Sequence, residues 1–161
     1  MITKERITAI GAAGGLAIAA LMSVPDLSAQ TGDTRTMQVT ANVKGSCRFD
    51  STPNINFGDL DPALATDREQ SVDVSFKCTK GVSYTLTIGD GLNNAGGINR
   101  MKSMVGTEYI PYDVTPKSQS GSGQGFATSA TIQIKGSVRG PDYQNVTAGA
   151  YADTVTLSIQ P

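Results

Sequence analysis

From Gln70 to Ile88 apolar and polar residues alternate twice over, and this pattern limits the fold more than any other feature of the chain. Val72, Val74, Phe76 and Cys78 fall on one face and Ser71, Asp73, Ser75 and Lys77 on the other. After Thr79-Lys80-Gly81, residues Val82, Tyr84, Leu86 and Ile88 alternate with Ser83, Thr85 and Thr87. A period of two belongs to the half-buried β-strand, and a connection of this size suits a hairpin. The stretch therefore predicts two adjacent strands, with Cys78 directed into a core.

The same period recurs over Thr36 to Val43, where Met37, Val39, Ala41 and Val43 share a face opposite Thr36, Gln38, Thr40 and Asn42. This segment also reads as a half-buried strand, ending in a Lys44-Gly45-Ser46 turn before Cys47. Lying close to the mature N-terminus, it is free to pair with its own sheet or with a neighbour's. Further runs are the short apolar patch Ile55-Asn-Phe57, Ile98 to Met104, Tyr109 to Val114 with Pro111 marking an edge or bulge, and Thr131 to Val138. In the final strand Tyr151, Val155, Leu157 and Ile159 share a face. Asp59-Leu-Asp61-Pro62 and Gly140-Pro141 read as turns, Gly89 to Gly97 as a loop, and Ser118 to Gly125 as a mobile Gly/Ser/Gln loop. About seven strands with closely spaced turn signals predict one all-β domain, a β-sandwich.

Residues 1–29 have the form of a secretory signal peptide. Lys4 and Arg6 form the charged start, Ile7 to Met22 the uncharged core, and Pro25 precedes the small residues Ser28 and Ala29. The expected organisation is a signal peptide at 1–29, a leader and first strand at 30–43 and the sandwich at 44–161. Export puts the two cysteines in an oxidising compartment, where Cys47 and Cys78, 31 positions apart, can pair. Closing that loop stabilises a fold by roughly 3.7 kcal/mol in the chain-entropy model.

The composition gives little support for catalysis. There is no His, the commonest general base and metal ligand, and with both cysteines oxidised most hydrolase and metal constellations are gone. Asp59 and Asp61 lack a third oxygen ligand for a calcium loop and are followed by Pro62. Gly89-Asp-Gly91-Leu-Asn-Asn94 lacks the third glycine and the helix of a dinucleotide site. A formal charge of -1 attracts neither nucleic acid nor anionic lipid. The expectation is a protein that is not an enzyme, has no cofactor and no metal, and does not bind nucleic acid.

In chain order, Cys47, Phe57-Gly58, Asp61-Pro62, Cys78 with Gly81 and Tyr84, Arg100-Met101, Tyr109 with Tyr112, and Gly149-Ala-Tyr151-Ala-Asp153-Thr-Val-Thr-Leu157 resemble the spore coat protein U domain. The resemblance spans roughly residues 36 to 159. Members of that family include secreted subunits of archaic chaperone–usher pili. For those members it implies an immunoglobulin-like sandwich lacking its last strand, whose open groove is covered first by a periplasmic chaperone and then by the N-terminal strand of the next subunit. Carried over by position, Met37, Val39, Ala41 and Val43 are the donor side chains, and Tyr151, Val155, Leu157 and Ile159 the C-terminal strand bordering the groove. The implied protein passes through the periplasm to the surface, is served by a chaperone and an outer-membrane usher, and polymerises with its own kind in support of adhesion and biofilm formation. A protective coat protein of the same family, or a secreted monomeric β-sandwich binding module, are the other readings.

Overall fold

The computed structural model describes residues 32–161; the predicted signal peptide lies outside them. The chain separates into two units, Met1–Thr40 and Ala41–Pro161, and among the described residues every strand belongs to the second. These strands are β1 (Cys47–Phe49), β2 (Arg68–Cys78), β3 (Ser83–Gly91), β4 (Asn99–Ser103), β5 (Tyr109–Thr115), β6 (Ser118–Ser122), β7 (Ala130–Val138), β8 (Tyr151–Ala152) and β9 (Val155–Gln160). A six-stranded sheet runs β1-β2-β7-β5-β4-β8 and a three-stranded sheet runs β6-β3-β9. All of the pairings are antiparallel. The unit is an immunoglobulin-like β-sandwich, whose two inner faces supply alternate residues to one core.

The alternation of the sequence builds that core directly. Val74, Phe76 and Cys78 of β2, Ile132, Ile134 and Val138 of β7, and Ile110, Tyr112 and Val114 of β5 are buried from the large sheet, opposite Leu86 and Ile88 of β3. Phe76 meets Phe49 edge-on at 6.4 Å and, across the sandwich, Tyr84 at 4.9 Å. Cys47 and Cys78 sit opposite one another in the β1–β2 ladder and are joined by a disulfide.

Four expectations need correction. Thr79-Lys80-Gly81 is not a hairpin: β2 and β3 lie in different sheets, and the turn carries the chain across the sandwich. Both runs alternate because both face the same core, from opposite sides. Ser118 to Ser122 is not a loop but an edge strand, paired with β3 from Thr87↔Ser118 to Ser83↔Ser122. Its side chains are exposed, so no apolar alternation marked it. Tyr151 does not share a strand with Val155, Leu157 and Ile159; β8 pairs with β4 and β9 with β3, the chain changing sheets between them. Finally, residues 32–46 form no strand. Thr36 to Val43 is not half-buried either, for Met37, Val39 and Val43 are 84%, 81% and 82% exposed and Ala41 is exposed as well. Pro111 lies in β5, between two neighbours in the sheet order, yet β5 meets β7 only over Asp113–Thr115, which leaves Pro111 at a local edge.

Candidate functional site: an open groove between the sheets

The last strand is paired on one side only. β9 bonds to β3 from Gln160↔Thr85 to Val155↔Gly91, and as an edge of its sheet it has, among the described residues, no strand on its other side. Its residues alternate strictly: Val155, Leu157 and Ile159 are half-buried, while Thr156, Ser158 and Gln160 are exposed. Half-burial of three aliphatic side chains in a row marks a core left open along this strand.

The facing wall comes from the chain just after β1. The ladder to β2 ends with the Asp50 amide donating to the Ser75 carbonyl at 2.9 Å. Beyond it, Pro53, Ile55 and Phe57 turn inward and are half-buried, while Asn54, Asn56 and Gly58 face outward. Among the described residues, the backbone of 51–60 takes part in no backbone–backbone hydrogen bond. Ile55 and Phe57 rest on Gly136 of β7, where even a methyl group would lie 3.0 Å from both, so the glycine lets this wall sit close to the sheet. Between the wall and β9 lies a cavity of about 490 Å³, lined by Ile55, Phe57, Val72, Ile88, Val155 and Leu157 among others. A second, of about 410 Å³, shares Ile55, Phe57 and Tyr151 with the first and extends toward Leu60, Tyr143 and Val146.

Polar groups close the groove at the start of β9. Asp153 accepts hydrogen bonds from the Tyr112 hydroxyl at 2.7 Å and from the Asn93 amide and Nδ2 at 3.1 and 2.9 Å. Burial, and then the Asp153 carboxylate, push the Tyr112 hydroxyl well above the ordinary phenol range. Tyr151 donates to the Thr147 carbonyl at 2.8 Å and lies 3.3 Å from Glu108. Its own pKa is raised by burial and then by that carboxylate. The carboxyl of Glu108 is held below its usual value, chiefly by hydrogen bonds from Thr147. Arg100 lies over the Tyr109 ring at 4.3 Å and donates to the Asn93 carbonyl. The arrangement offers shape, apolar surface and unpaired backbone.

The Spore Coat Protein U domain matches residues 33–158. The chain belongs to this family. No curated protein sequence matches it. Among solved structures, the domain is similar to a chain of the CsuC-CsuE chaperone–tip adhesion subunit pre-assembly complex from archaic chaperone–usher Csu pili of Acinetobacter baumannii, with 19% identity and a TM-score of 0.53 over 73% of this chain and 40% of that one. A chaperone–tip adhesin complex of CFA/I fimbriae matches at 11% identity and a TM-score of 0.37, over 70% of this chain and 39% of that one. The chain thus spans well under half the length of either structure.

Within this Spore Coat Protein U domain, the residues singled out from sequence fall into three places. Tyr151, Val155 and Leu157 line the larger cavity; Ile159 continues their alternation along β9. Cys47 and Cys78 lie at the end of β1–β2. Met37, Val39, Ala41 and Val43 are exposed. The opposite wall at Pro53, Ile55 and Phe57, and Asp153 at the groove's end, were not singled out as functional. Alternation across Pro53-Asn-Ile55-Asn-Phe57 was the available signal for the wall, of which only the short apolar patch Ile55-Asn-Phe57 was read.

Proposed function

We propose that this protein is an exported structural subunit of an archaic-type chaperone–usher pilus, polymerised by donor-strand complementation. Met37, Val39, Ala41 and Val43 of one copy fill the groove of the next, between the 51–58 wall and the C-terminal strand with Val155, Leu157 and Ile159, alongside Tyr151. The observation that carries this reading is the conjunction of an apolar groove bordered by unpaired backbone with a segment of this same chain that presents four alternating exposed apolar residues. An added strand gains hydrogen bonds from both walls and directs every second side chain inward. The shared fold with a chain of a chaperone–subunit complex supports a periplasmic chaperone as first occupant of the groove. An outer-membrane usher would then exchange chaperone for arm. The role is structural, at the cell surface, in adhesion and biofilm formation.

A synthetic peptide covering residues 34–45, added to the subunit–chaperone complex, tests the reading. It should displace the chaperone and leave a stable one-to-one subunit–peptide complex, whereas the same peptide carrying Val39→Asp should not. Failure of the unmodified peptide, or equal binding of both, would overturn the proposal.

A further inference from the structure

The arm does not hang freely from the sandwich; its root is pinned. The Thr79 hydroxyl accepts the Ser46 amide at 3.1 Å and lies 3.3 Å from the carbonyls of both Lys44 and Ser46, one of which takes its proton. The Thr79 amide donates to the Ser46 carbonyl at 2.9 Å. Gly45 lies flat in a notch: a methyl group there would be 3.2 Å from Val82 Cγ1 and 3.7 Å from Cβ of Pro161, the residue that follows the strand bordering the groove. One residue further on, Cys47 is bonded to Cys78. The chain therefore passes from a root held against Thr79 and Val82 at Lys44–Ser46 to the exposed Val43 within a single peptide bond.

We infer that Thr79 is a positioning residue that fixes where and in what direction the arm leaves its own subunit, and so sets the geometry of the junction between successive subunits. This rests on the donor-strand reading above. If Val43 enters the neighbouring groove and Lys44 is already held by its own body, hardly any chain separates the two. Releasing the root would free three residues, or up to about 10 Å of reach. With the root held, the two bodies abut and the arm has one register; with it free, the bodies can swivel. The hydroxyl suits this task because it accepts from the Ser46 amide and lies within reach of the carbonyls on both sides of Gly45 without filling the notch.

The test uses full-length Thr79→Val and Thr79→Ser made with the chaperone and assembly apparatus. Two quantities are read: hydrogen exchange of the Ser46 amide in the subunit–chaperone complex, and the spread of angles between consecutive subunits in electron micrographs of the polymer. Thr79→Val should exchange Ser46 about 3- to 10-fold faster, the loss of one modest hydrogen bond, and should widen the angular spread at unchanged chaperone-bound yield. Thr79→Ser should match the parent in both. Unchanged exchange in Thr79→Val overturns the bracket, and faster exchange with an unchanged fibre overturns its role at the junction. Should Thr79→Val fail to accumulate, a Gly-Gly insertion between Val43 and Lys44 supplies slack outside the bracket. That insertion must widen the spread, and an unaltered fibre overturns the inference. If the parent chain forms no polymer at all, the donor-strand reading fails and the junction role with it, whereas the exchange result still reports the bracket alone.

Discussion

Val39 is the position at which the proposed assembly is most sharply exposed to test. In the chain itself the side chain is 81% exposed, so shortening it to alanine should leave subunit stability within about 0.5 kcal/mol. In a neighbour's groove the same change removes two methyl groups, at about 0.8 kcal/mol each, and leaves a small void. Together these give about 1.5–3 kcal/mol, or roughly a ten- to hundredfold faster loss of a subunit from the fibre. Val39→Asp is more severe, because a carboxylate would enter a space lined by Ile55, Phe57, Ile88 and Leu157 without a partner. Assembly should then stop. The assay compares, in one strain, the yield of subunit–chaperone complex with the amount and dissociation temperature of surface polymer. Val39→Ala should lower the dissociation temperature at constant complex yield, and Val39→Asp should abolish polymer at constant complex yield. Loss of complex and polymer together would mean that Val39 belongs to its own subunit's core, which refutes the reasoning. Intact polymer in Val39→Asp would refute it equally.

Three further outcomes follow from the geometry. Cys47→Ser should cost about 2–5 kcal/mol of stability and lower periplasmic yield, checked by denaturant unfolding of the subunit–chaperone complex beside the parent. Asp153→Ala should cost about 1–3 kcal/mol, since it strips the acceptor from the Tyr112 hydroxyl and from Asn93. In a double-mutant cycle with Tyr112→Phe the two losses should be less than additive; full additivity would mean that the 2.7 Å contact contributes nothing. Because the folded state raises the Tyr112 pKa above its unfolded value of 10.0, its contribution is fully present below that pH and declines as pH rises through the folded value. Thermal unfolding followed upward from about pH 9 should therefore show an alkaline loss of stability that Tyr112→Phe reduces, and equal slopes in the two proteins would contradict the assignment.

The strands that carry the core were legible because each has one buried face, and burial writes period two into the sequence. Val72 to Cys78 and Ile132 to Val138 are the clearest cases. Which sheet a strand joins leaves no such trace. Phe76 and Leu86 are equally buried, yet they enter the core from different sheets, and nothing in Thr79-Lys80-Gly81 distinguishes a turn that folds back from one that crosses over. Ser118 to Ser122 was unreadable for the opposite reason: an edge strand with both faces in water needs no apolar residue, and only its ladder to β3 defines it. In the groove, the aliphatic residues of β9 were visible as a pattern. Asp153 was not, since its role depends on Tyr112 and Asn93, which approach it only in the folded chain. Met37 to Val43 shows the limit most plainly, for its alternation is that of a half-buried strand and its side chains are in water. The pattern records which side chains would be covered together, and it is silent on whose core would cover them.

The cystine at the root of the arm bears on what happens when a fibre is pulled. In a polymer joined through the arm, tension enters each subunit at Lys44 to Ser46, loads the hydrogen bonds to Thr79 and next meets a strand of only three residues, Cys47–Phe49, held to its neighbour by a short ladder. Hydrogen bonds loaded at one end open one after another, so this ladder alone would peel at low load. The covalent link from Cys47 to Cys78 bypasses it and delivers the pull to the end of β2, an eleven-residue strand paired with β7 along nine positions. Load is then taken by a ladder three times as long as that of β1. Reduction of that one bond should therefore weaken the fibre under tension far more than it weakens the resting subunit, a difference that single-fibre stretching with and without reductant can measure.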